Sequence, residues 1–221
     1  MTKIASQSKV KTKKKEKSHE PLKLFLIKDR LEVGCDEAGR GCLAGPVVAA
    51  AVILDPENPI IGLNDSKKIS HITRQKLRKE IEEKSLAWAV GLCSPDEIDE
   101  INILWASFKA MHKALDKIKI PFDHILVDGN RFTTYPEVGN TCIIKGDAKF
   151  QSIAAASIIA KEFRDDLMSK MHEEFPNYGW NQNKGYPTSI HRSGIEKFGP
   201  CIHHRKTFQL LPLIQTKLEL D

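Results

Sequence analysis

Short apolar runs rich in valine, isoleucine and alanine alternate along the chain with longer stretches in which apolar residues recur at helical spacing. A short apolar run bounded by turn residues predicts a strand, and recurrence every three or four positions predicts an amphipathic helix. The runs predict strands at Leu31–Asp36, Pro46–Leu54, Leu86–Cys93, His124–Asp128 and Thr141–Asp147.

The first predicted helix lies within Lys68–Glu83, and Ser70 is expected to cap its N-terminus. The apolar positions expected on its buried face are Ile72, Leu77 and Ile81.

The second helix is expected to begin after Ser94, because proline follows at the first helical position and Glu97 stands where a capping box needs it. Its predicted buried stripe comprises Leu104, Phe108, Met111 and Leu115. A third helix is predicted over residues 150–172, where Ala154 and Ala160 belong to a small-residue face suited to close packing.

The order β–β–α–β–α–β–β–α predicts an α/β domain on a mixed five-stranded sheet flanked by helices, in which the first three strands form a meander. From about residue 173 the chain is richer in Pro, Gly, His and aromatic residues, and it is expected to form a helical C-terminal region ending with Leu210–Leu220. A single domain is therefore expected over residues 21–221.

The formal net charge of +5 comes from the first 20 residues, which hold seven lysines and two glutamates. This lysine-rich segment has no apolar periodicity and is predicted to be disordered, either as a solubilising tail or as a salt-sensitive arm on nucleic acid. The remaining residues balance acids against bases, so any contact with a polyanion must come from local clusters.

The five cysteines are scattered and lack CxxC spacing, which argues against a disulfide framework and a structural zinc site. They are expected to be buried free thiols in a reducing, cytoplasmic compartment. The longest apolar stretch, 47–54, is far shorter than the ~20 residues of a membrane helix, so no membrane association is expected.

Carboxylates stand at the ends of three predicted strands, where ligands bind in open α/β sheets. Asp36 and Glu37 end the first strand, Asp128 ends the fourth, and Asp147 follows the fifth. One such acid is an ordinary turn residue, but several at one rim would raise each other's pKa unless a cation neutralised them. Oxygen ligands favour Mg²⁺ or Mn²⁺ over zinc, and carboxylates that share two such ions are typical of phosphoryl transfer.

Neighbouring side chains of a regular strand point to opposite faces, so Asp36 and Glu37 are expected to serve one site only if the strand bends or bulges. Gly34 and Gly39 on either side would allow such a bulge.

The chain resembles the bacterial ribonuclease HII family in motifs that together span roughly residues 31–210. The motifs are VGCDEAGRGCLAGPVVAAAVIL (33–54), LNDSKKIS (63–70), ILVDGN (125–130), KGDAKFQSIAAASIIAKEFRD (145–165), NKGYPTSIH (183–191) and HHRKTF (203–208). The resemblance implies an RNase H-like fold. It also implies a metal-dependent endonuclease that cuts the RNA strand of RNA–DNA hybrids and nicks duplex DNA 5′ of an embedded ribonucleotide, leaving a 3′-hydroxyl and a 5′-phosphate.

The resemblance also assigns roles to individual residues. The metal-binding acids of the family correspond to Asp36, Glu37, Asp128 and Asp147. The family's GRG loop, which reads the ribose 2′-hydroxyl and the adjoining phosphate, corresponds to Gly39, Arg40 and Gly41, where the alternative is a plain hairpin turn. Tyr186 corresponds to the tyrosine that stacks on the next deoxyribose, although a tyrosine between Gly and Pro is often only a packed loop residue.

Further candidates are less specific. Lys67 and Lys68 are expected to meet the phosphate backbone, with a charge pair at a helix start as the alternative. Asp165 is either an accessory acid of the site or part of a salt bridge, and His204 and Arg205 are either structural or phosphate-facing.

The chain departs from the family pattern at two positions, Cys42 where proline is usual and GYPT where GYGT is common. Neither change removes a functional group. The competing identities are the sister family ribonuclease HIII, which has an extra N-terminal domain and lacks the GRG form of the loop, and a non-catalytic hybrid-binding protein. A monomer is expected.

Overall fold

A computed structural model describes residues 21–64, 66 and 69–212. Its strands are β1 Glu32–Ala38, β2 Val47–Ile53, β3 Ala87–Cys93, β4 His124–Asp128 and β5 Gly139–Ile143. Its α-helices are α1 His71–Lys84, α2 Pro95–Leu115, α3 Gln151–Glu174, α4 Trp180–Asn183 and α5 Ser189–Phe198. Short 3₁₀ turns occupy Gly146–Ala148 and Pro176–Tyr178.

The strands form one mixed sheet in the order β3-β2-β1-β4-β5. β1, β2 and β3 pair antiparallel, as the meander prediction required, whereas β4 runs parallel to both β1 and β5. In this register Cys35 lies beside Val127, and Val127 lies beside Cys142. The carboxyl ends of β1, β4 and β5 therefore lie at the same edge of the sheet.

The two faces of the sheet carry separate cores. Val33 and Cys35 of β1 pack with apolar residues of α2, such as Met111, on one face. On the other face α3 lies directly against β1, because a Cβ on Gly34 would stand only 2.3 Å from the backbone carbon of Ser152. The small-residue stretch of α3, Ala154–Ala156, allows this helix to approach the sheet closely.

The helix starts are as predicted. The Ser70 side chain accepts from the backbone N–H of Thr73 at 3.2 Å, and Ser94 with Glu97 forms a complete capping box. Ile72 was expected on the buried face of α1, but this is wrong: its side chain is 68% exposed because α1 presents only Leu77 and Ile81 to the core.

The C-terminal region from about residue 173 contains α4 and α5 and packs on the end of α3 through Met168, Trp180 and Ile195. Residues 210–212 are not helical, so the predicted helix does not begin at Leu210, and the remainder of that prediction lies outside the described residues. The lysine-rich segment at 1–20 also lies outside them.

All five cysteines are free thiols, and Cys35, Cys42 and Cys93 are buried as expected. The expected burial is wrong for Cys142 and Cys201, which are half-buried. Among the described helices, none combines the length and the apolar character needed to cross a membrane.

Candidate active site

Three of the predicted acids lie close together at the carboxyl edge of the sheet. The ladder between β1 and β4 ends with Cys35 beside Val127, so Asp36 and Asp128 are the next residues on two neighbouring parallel strands. Asp36 is 7% exposed, and the Glu37 side chain is 11% exposed. The sheet order thus brings together acids that stand far apart in the sequence.

No bulge interrupts β1 at Asp36 and Glu37, so the condition under which these acids were expected to serve one site is wrong. Pairing with β2 continues regularly through Asp36 beside Ala50, Glu37 beside Ala49 and Ala38 beside Val48. The two acid side chains therefore leave opposite faces of β1 near its end.

Each of these two acids has its own partner. Asp36 is hydrogen-bonded by the Ser157 hydroxyl of α3 and accepts the Glu37 N–H at Oδ1 at 2.7 Å. Glu37 Oε1 pairs with Arg40 Nη1 at 3.0 Å. The two carboxylates are therefore held by different groups, although they follow one another in the chain.

The acids repel one another electrostatically. Burial raises the pKa of Asp36 well above its usual range, and the charges of Glu37 and Asp128 raise it further. Burial also raises the pKa of Glu37, an effect that Arg40 opposes and Asp128 reinforces. Since Arg40 offsets only part of this negative charge, a cation at this edge would be strongly stabilised.

Asp147 is brought to the same edge by a tight turn after β5. Lys145 adopts the left-handed conformation at φ 56°, and the 3₁₀ turn Gly146–Ala148 follows. The Gly146 N–H donates to Asp128 Oδ1 at 2.7 Å, which attaches this turn to the end of β4. Asp147 itself is buried, with 6% exposure.

The donor set fits a hard divalent cation. Carboxylate oxygens are the ligands that Mg²⁺ and Mn²⁺ prefer, and buried acids with raised pKa values gain most from a bound positive charge. Within the described part of the chain, no three His, Cys, Asp or Glu side chains are arranged so that they could already hold a metal ion.

The segment after β1, which we call the recognition loop (residues 39–46), is held from beneath by two buried arginines. Arg205 donates from Nη2 to the Gly39 carbonyl at 2.7 Å and from Nη1 to the Arg40 carbonyl at 2.9 Å. A Cβ on Gly39, whose φ is 97°, would meet Arg164 Nε at 2.1 Å. A Cβ on Gly41 would have no atom within 4 Å, so the Gly41 backbone is open to a ligand.

Tyr186 lies in what we call the tyrosine segment (residues 183–188), and its side chain is 42% exposed. The Tyr186 N–H donates to the Asn183 carbonyl at 2.9 Å, and its carbonyl accepts the Thr188 N–H at 2.8 Å. Its hydroxyl is hydrogen-bonded with the thiol of Cys42 in the recognition loop. These hydrogen bonds place the Tyr186 ring next to the loop.

His204 and Arg205 are buried, with 1% and 0% exposure, which favours the structural alternative over contact with a phosphate. The His204 Nε2 lies 3.1 Å from His191 Nε2, which accepts from Trp180 Nε1 at 3.0 Å. His191 Nδ1 lies 3.0 Å from the Tyr186 carbonyl. Burial and the neighbouring His191 lower the pKa of His204 to about 4, so it is neutral at pH 7.

Asp165 forms a close ion pair with Lys161, at 2.6 Å to Oδ1 and 2.7 Å to Oδ2. This is the salt bridge that was the alternative to a direct role, and the site role of Asp165 stays a prediction.

Lys67 and Lys68 lie outside the described residues, but their neighbour Ser66 hydrogen-bonds Ser157 at 2.9 Å, next to Asp36. Arg74 holds this loop through the carbonyls of Ser66 at 3.1 Å and Ile69 at 2.9 Å.

The sequence reasoning missed Arg164, Ser157 and Arg74. A signal for Arg164 was present, because it falls between Ala160 and Met168 on an otherwise small and apolar helix stripe. A charged residue at such a position is buried only when its hydrogen bonds are satisfied. The identity of its partners could not be inferred, since they come from distant parts of the chain.

Comparison with known proteins shows the family of the chain. The family model described as Ribonuclease HII matches residues 33–211. A ribonuclease HII of Bacteroides thetaiotaomicron is 58% identical over 187 residues, covering 85% of this chain and 94% of that protein. The match to ribonuclease HII decides the identity against the sister family ribonuclease HIII.

Solved structures agree as well. The ribonuclease H2 of Pyrococcus horikoshii superposes with a TM-score of 0.68 at 27% identity, covering 81% of this chain and 94% of that one. The ribonuclease HII of Archaeoglobus fulgidus, solved in complex with PCNA, gives a TM-score of 0.67 at 26% identity and covers 85% of this chain and 98% of that one. The chain thus belongs to the ribonuclease HII family, the type 2 ribonucleases H, which are metal-dependent endonucleases that hydrolyse the RNA strand of RNA–DNA hybrids.

Proposed function

We propose that Asp36, Glu37, Asp128 and Asp147 are the metal-binding acids of this endonuclease, and that they hold two Mg²⁺ or Mn²⁺ ions. The observation that carries the proposal is the placement of the acids at one edge of the sheet, where Asp36 and Asp128 follow the last paired residues of β1 and β4 and the Gly146 N–H attaches the turn of Asp147 to Asp128 Oδ1. Burial raises the pKa of Asp36 and of Glu37, and the charge of Asp128 adds to this effect. Two ions in such a site supply an activated water and stabilise the leaving oxygen of a phosphodiester.

The chain's own residues prepare this site. Ser157 and the Glu37 N–H hold the Asp36 carboxylate in one orientation, and the Gly146 N–H does the same for Asp128. Arg40 pairs with Glu37 at 3.0 Å while its side chain stays half exposed, so it is free to contact a phosphate next to the acids.

The recognition loop selects the position of cutting. We infer that the open backbone at Gly41 approaches the ribose 2′-hydroxyl, the group that distinguishes RNA from DNA. Tyr186 stacks on the deoxyribose that follows, and Lys67 and Lys68 bind the phosphate backbone. The product of a cut 5′ of the ribonucleotide carries a 3′-hydroxyl on one side and a 5′-phosphate on the other.

The test uses two labelled substrates, a DNA duplex with one embedded ribonucleotide and a uniform RNA–DNA hybrid. With Mg²⁺ or Mn²⁺ we expect a single nick 5′ of the ribonucleotide, and EDTA is expected to abolish it. Retained binding of both substrates with no cutting in any divalent metal would favour the alternative of a non-catalytic hybrid-binding protein.

We further propose a cytoplasmic monomer with residues 21–221 as one catalytic domain. The free cysteines suit a reducing compartment. Sedimentation at micromolar concentration tests the monomer, whose expected mass is 24.9 kDa.

A further inference from the structure

One buried side chain connects the recognition loop with the tyrosine segment. Arg164 of α3 is 1% exposed, and its guanidinium donates three hydrogen bonds, all to backbone carbonyls. Nε reaches Pro46 at 2.9 Å and Nη2 reaches Ala44 at 3.0 Å, both in the recognition loop. Nη1 reaches Lys184 of the tyrosine segment at 2.7 Å. A single planar group thus joins the two segments.

The two segments also touch directly. The Leu43 N–H donates to the Gly185 carbonyl at 2.8 Å. A Cβ on Gly185, whose φ is 83°, would stand 2.6 Å from the Ala44 carbonyl oxygen, so only glycine permits this approach. The Cys42 thiol contacts the Lys184 carbonyl at 3.7 Å and the Tyr186 hydroxyl. The distance between the recognition loop and Tyr186 is therefore set by these direct contacts together with the hydrogen bonds of Arg164.

Arg164 cannot touch a substrate, because its side chain lies under the loop and fills the space where a Cβ of Gly39 would be. The neighbouring acid Asp165 pairs with Lys161 at 2.6 Å, and the hydrogen bonds of the guanidinium go to carbonyls. The carbonyls of two loops compensate the buried charge instead. A planar fork with several donors suits three carbonyls in different directions, which a single ammonium group at the end of a flexible chain does not.

We propose that Arg164 is a positioning residue that fixes the distance between the recognition loop and Tyr186, and thereby sets the preference for an RNA–DNA junction over uniform hybrid. This inference rests on the proposed function, in which the loop reads one sugar and Tyr186 reads the next. Two groups that read consecutive sugars discriminate between them only while their separation is held constant, since a misplacement of about 1 Å can cost about 100-fold in rate.

The experiment measures kcat/KM of the full chain on the two substrates, one embedded ribonucleotide and uniform hybrid. In Arg164→Lys we expect the ratio of the two values to fall about tenfold, part of the loss that such a misplacement produces. The matched control is Arg192→Lys, because the Arg192 guanidinium also donates to a backbone carbonyl, that of Leu210 at 2.6 Å. Only the backbone N–H of Arg192, which the substitution keeps, is hydrogen-bonded to the tyrosine segment, at the Thr188 carbonyl. The control is expected to leave the ratio unchanged even if it lowers the melting temperature.

A second comparison separates positioning from general destabilisation. In a Tyr186→Ala background the tyrosine is already absent, so Arg164→Lys is expected to change the ratio by less than twofold (about the experimental scatter). An equal tenfold drop in that background, or equal losses on both substrates in Arg164→Lys alone, would overturn the inference.

If Arg164→Lys does not fold, as judged by its circular dichroism and melting curve, a milder variant tests whether the spacing of the loop and Tyr186 sets the substrate preference. Cys42→Ala removes the thiol that contacts Lys184 and Tyr186 and is expected to lower the same ratio about two- to threefold, the effect of a weak hydrogen bond. An unchanged ratio would then overturn the inference. Failure of the wild-type chain to cut either substrate would instead overturn the proposed function.

Discussion

Gly39 and Gly41 stand two residues apart in the recognition loop, and their contacts predict opposite consequences for Gly→Ala substitutions. Gly39 has φ 97°, and a Cβ there would lie 2.1 Å from Arg164 Nε. Gly41 has an ordinary φ, and a Cβ there would have nothing within 4 Å. Gly39→Ala is therefore expected to destabilise the protein, whereas Gly41→Ala is expected to leave its stability unchanged.

The size of the effect follows from two costs. A non-glycine residue in a sparsely populated backbone conformation costs on the order of 1 to 3 kcal/mol. Moving the Arg164 guanidinium away from the new Cβ breaks at least one charge-assisted hydrogen bond, such as that to Pro46, which is worth about 1.5 to 3 kcal/mol. Gly39→Ala should thus lose roughly 3 to 6 kcal/mol of a total that is typically about 5 to 15 kcal/mol.

Thermal unfolding and nicking of a duplex with one ribonucleotide distinguish the two variants. A loss of about 3 kcal/mol corresponds to a melting temperature lower by about 6 to 12 °C in a chain of this size. Gly41→Ala is expected to melt within about 1 °C of wild type and to lose most of its nicking, because the new methyl group blocks the approach of the 2′-hydroxyl. A Gly39→Ala protein that melts with the wild type would refute the packing argument, and full nicking by Gly41→Ala would refute the recognition argument.

Other predictions concern the acids and the tyrosine. Asp36→Asn is expected to lower nicking by about 1,000-fold or more, as loss of a key catalytic group does, while binding of hybrid in a filter or fluorescence assay is largely retained; near wild-type turnover would contradict its role. Burial and like charges raise the pKa of Asp36, so the folded state binds the Asp36 proton more tightly than the unfolded state does. Without metal, the contribution of Asp36 to the free energy of unfolding is therefore expected to fall as the pH rises above its unfolded pKa of about 4. His204, whose pKa is lowered to about 4, has the opposite effect, because its contribution to stability rises with pH between about 4 and its ordinary pKa. The contribution of Asp36 is therefore measured as the difference in unfolding free energy between wild type and Asp36→Asn, from urea titrations with and without Mn²⁺. A difference that does not change with pH would contradict the raised pKa of Asp36. Tyr186→Ala is expected to reduce cutting at a single ribonucleotide more than cutting of uniform hybrid, and equal losses would exclude junction sensing.

The structure also explains why the two acids that follow one another in the chain need no bulge. Asp36 and Glu37 occupy regular positions opposite Ala50 and Ala49, and each is held by its own partner, Ser157 for one and Arg40 for the other. The end of β1, rather than a distortion within it, allows side chains from both faces to lie near Asp128. The expectation of a bulge assumed that both side chains must emerge from one face.

The amino-acid sequence by itself determined the local elements. Strand and helix types follow from apolar periodicity and from caps such as Ser94 with Glu97, which are interactions between residues a few positions apart. The acids at strand ends were also recognisable, because Asp36, Asp128 and Asp147 all follow short apolar runs. The exposure of an individual helix position such as Ile72 could not be predicted, since the width of the buried stripe depends on the neighbouring helix.

Only the tertiary structure decided which of these residues meet. Insertion of β4 beside β1 joins Asp36 and Asp128, and the burial of Arg205 joins it to Gly39 across 166 positions of the chain. The sequence left the role of Arg205 open because no local pattern reveals whether a cation points to solvent or to distant carbonyls. The physical reason is that buried polar groups are stabilised by whichever partners the fold brings within hydrogen-bonding distance, and those partners are set by packing rather than by spacing in the sequence.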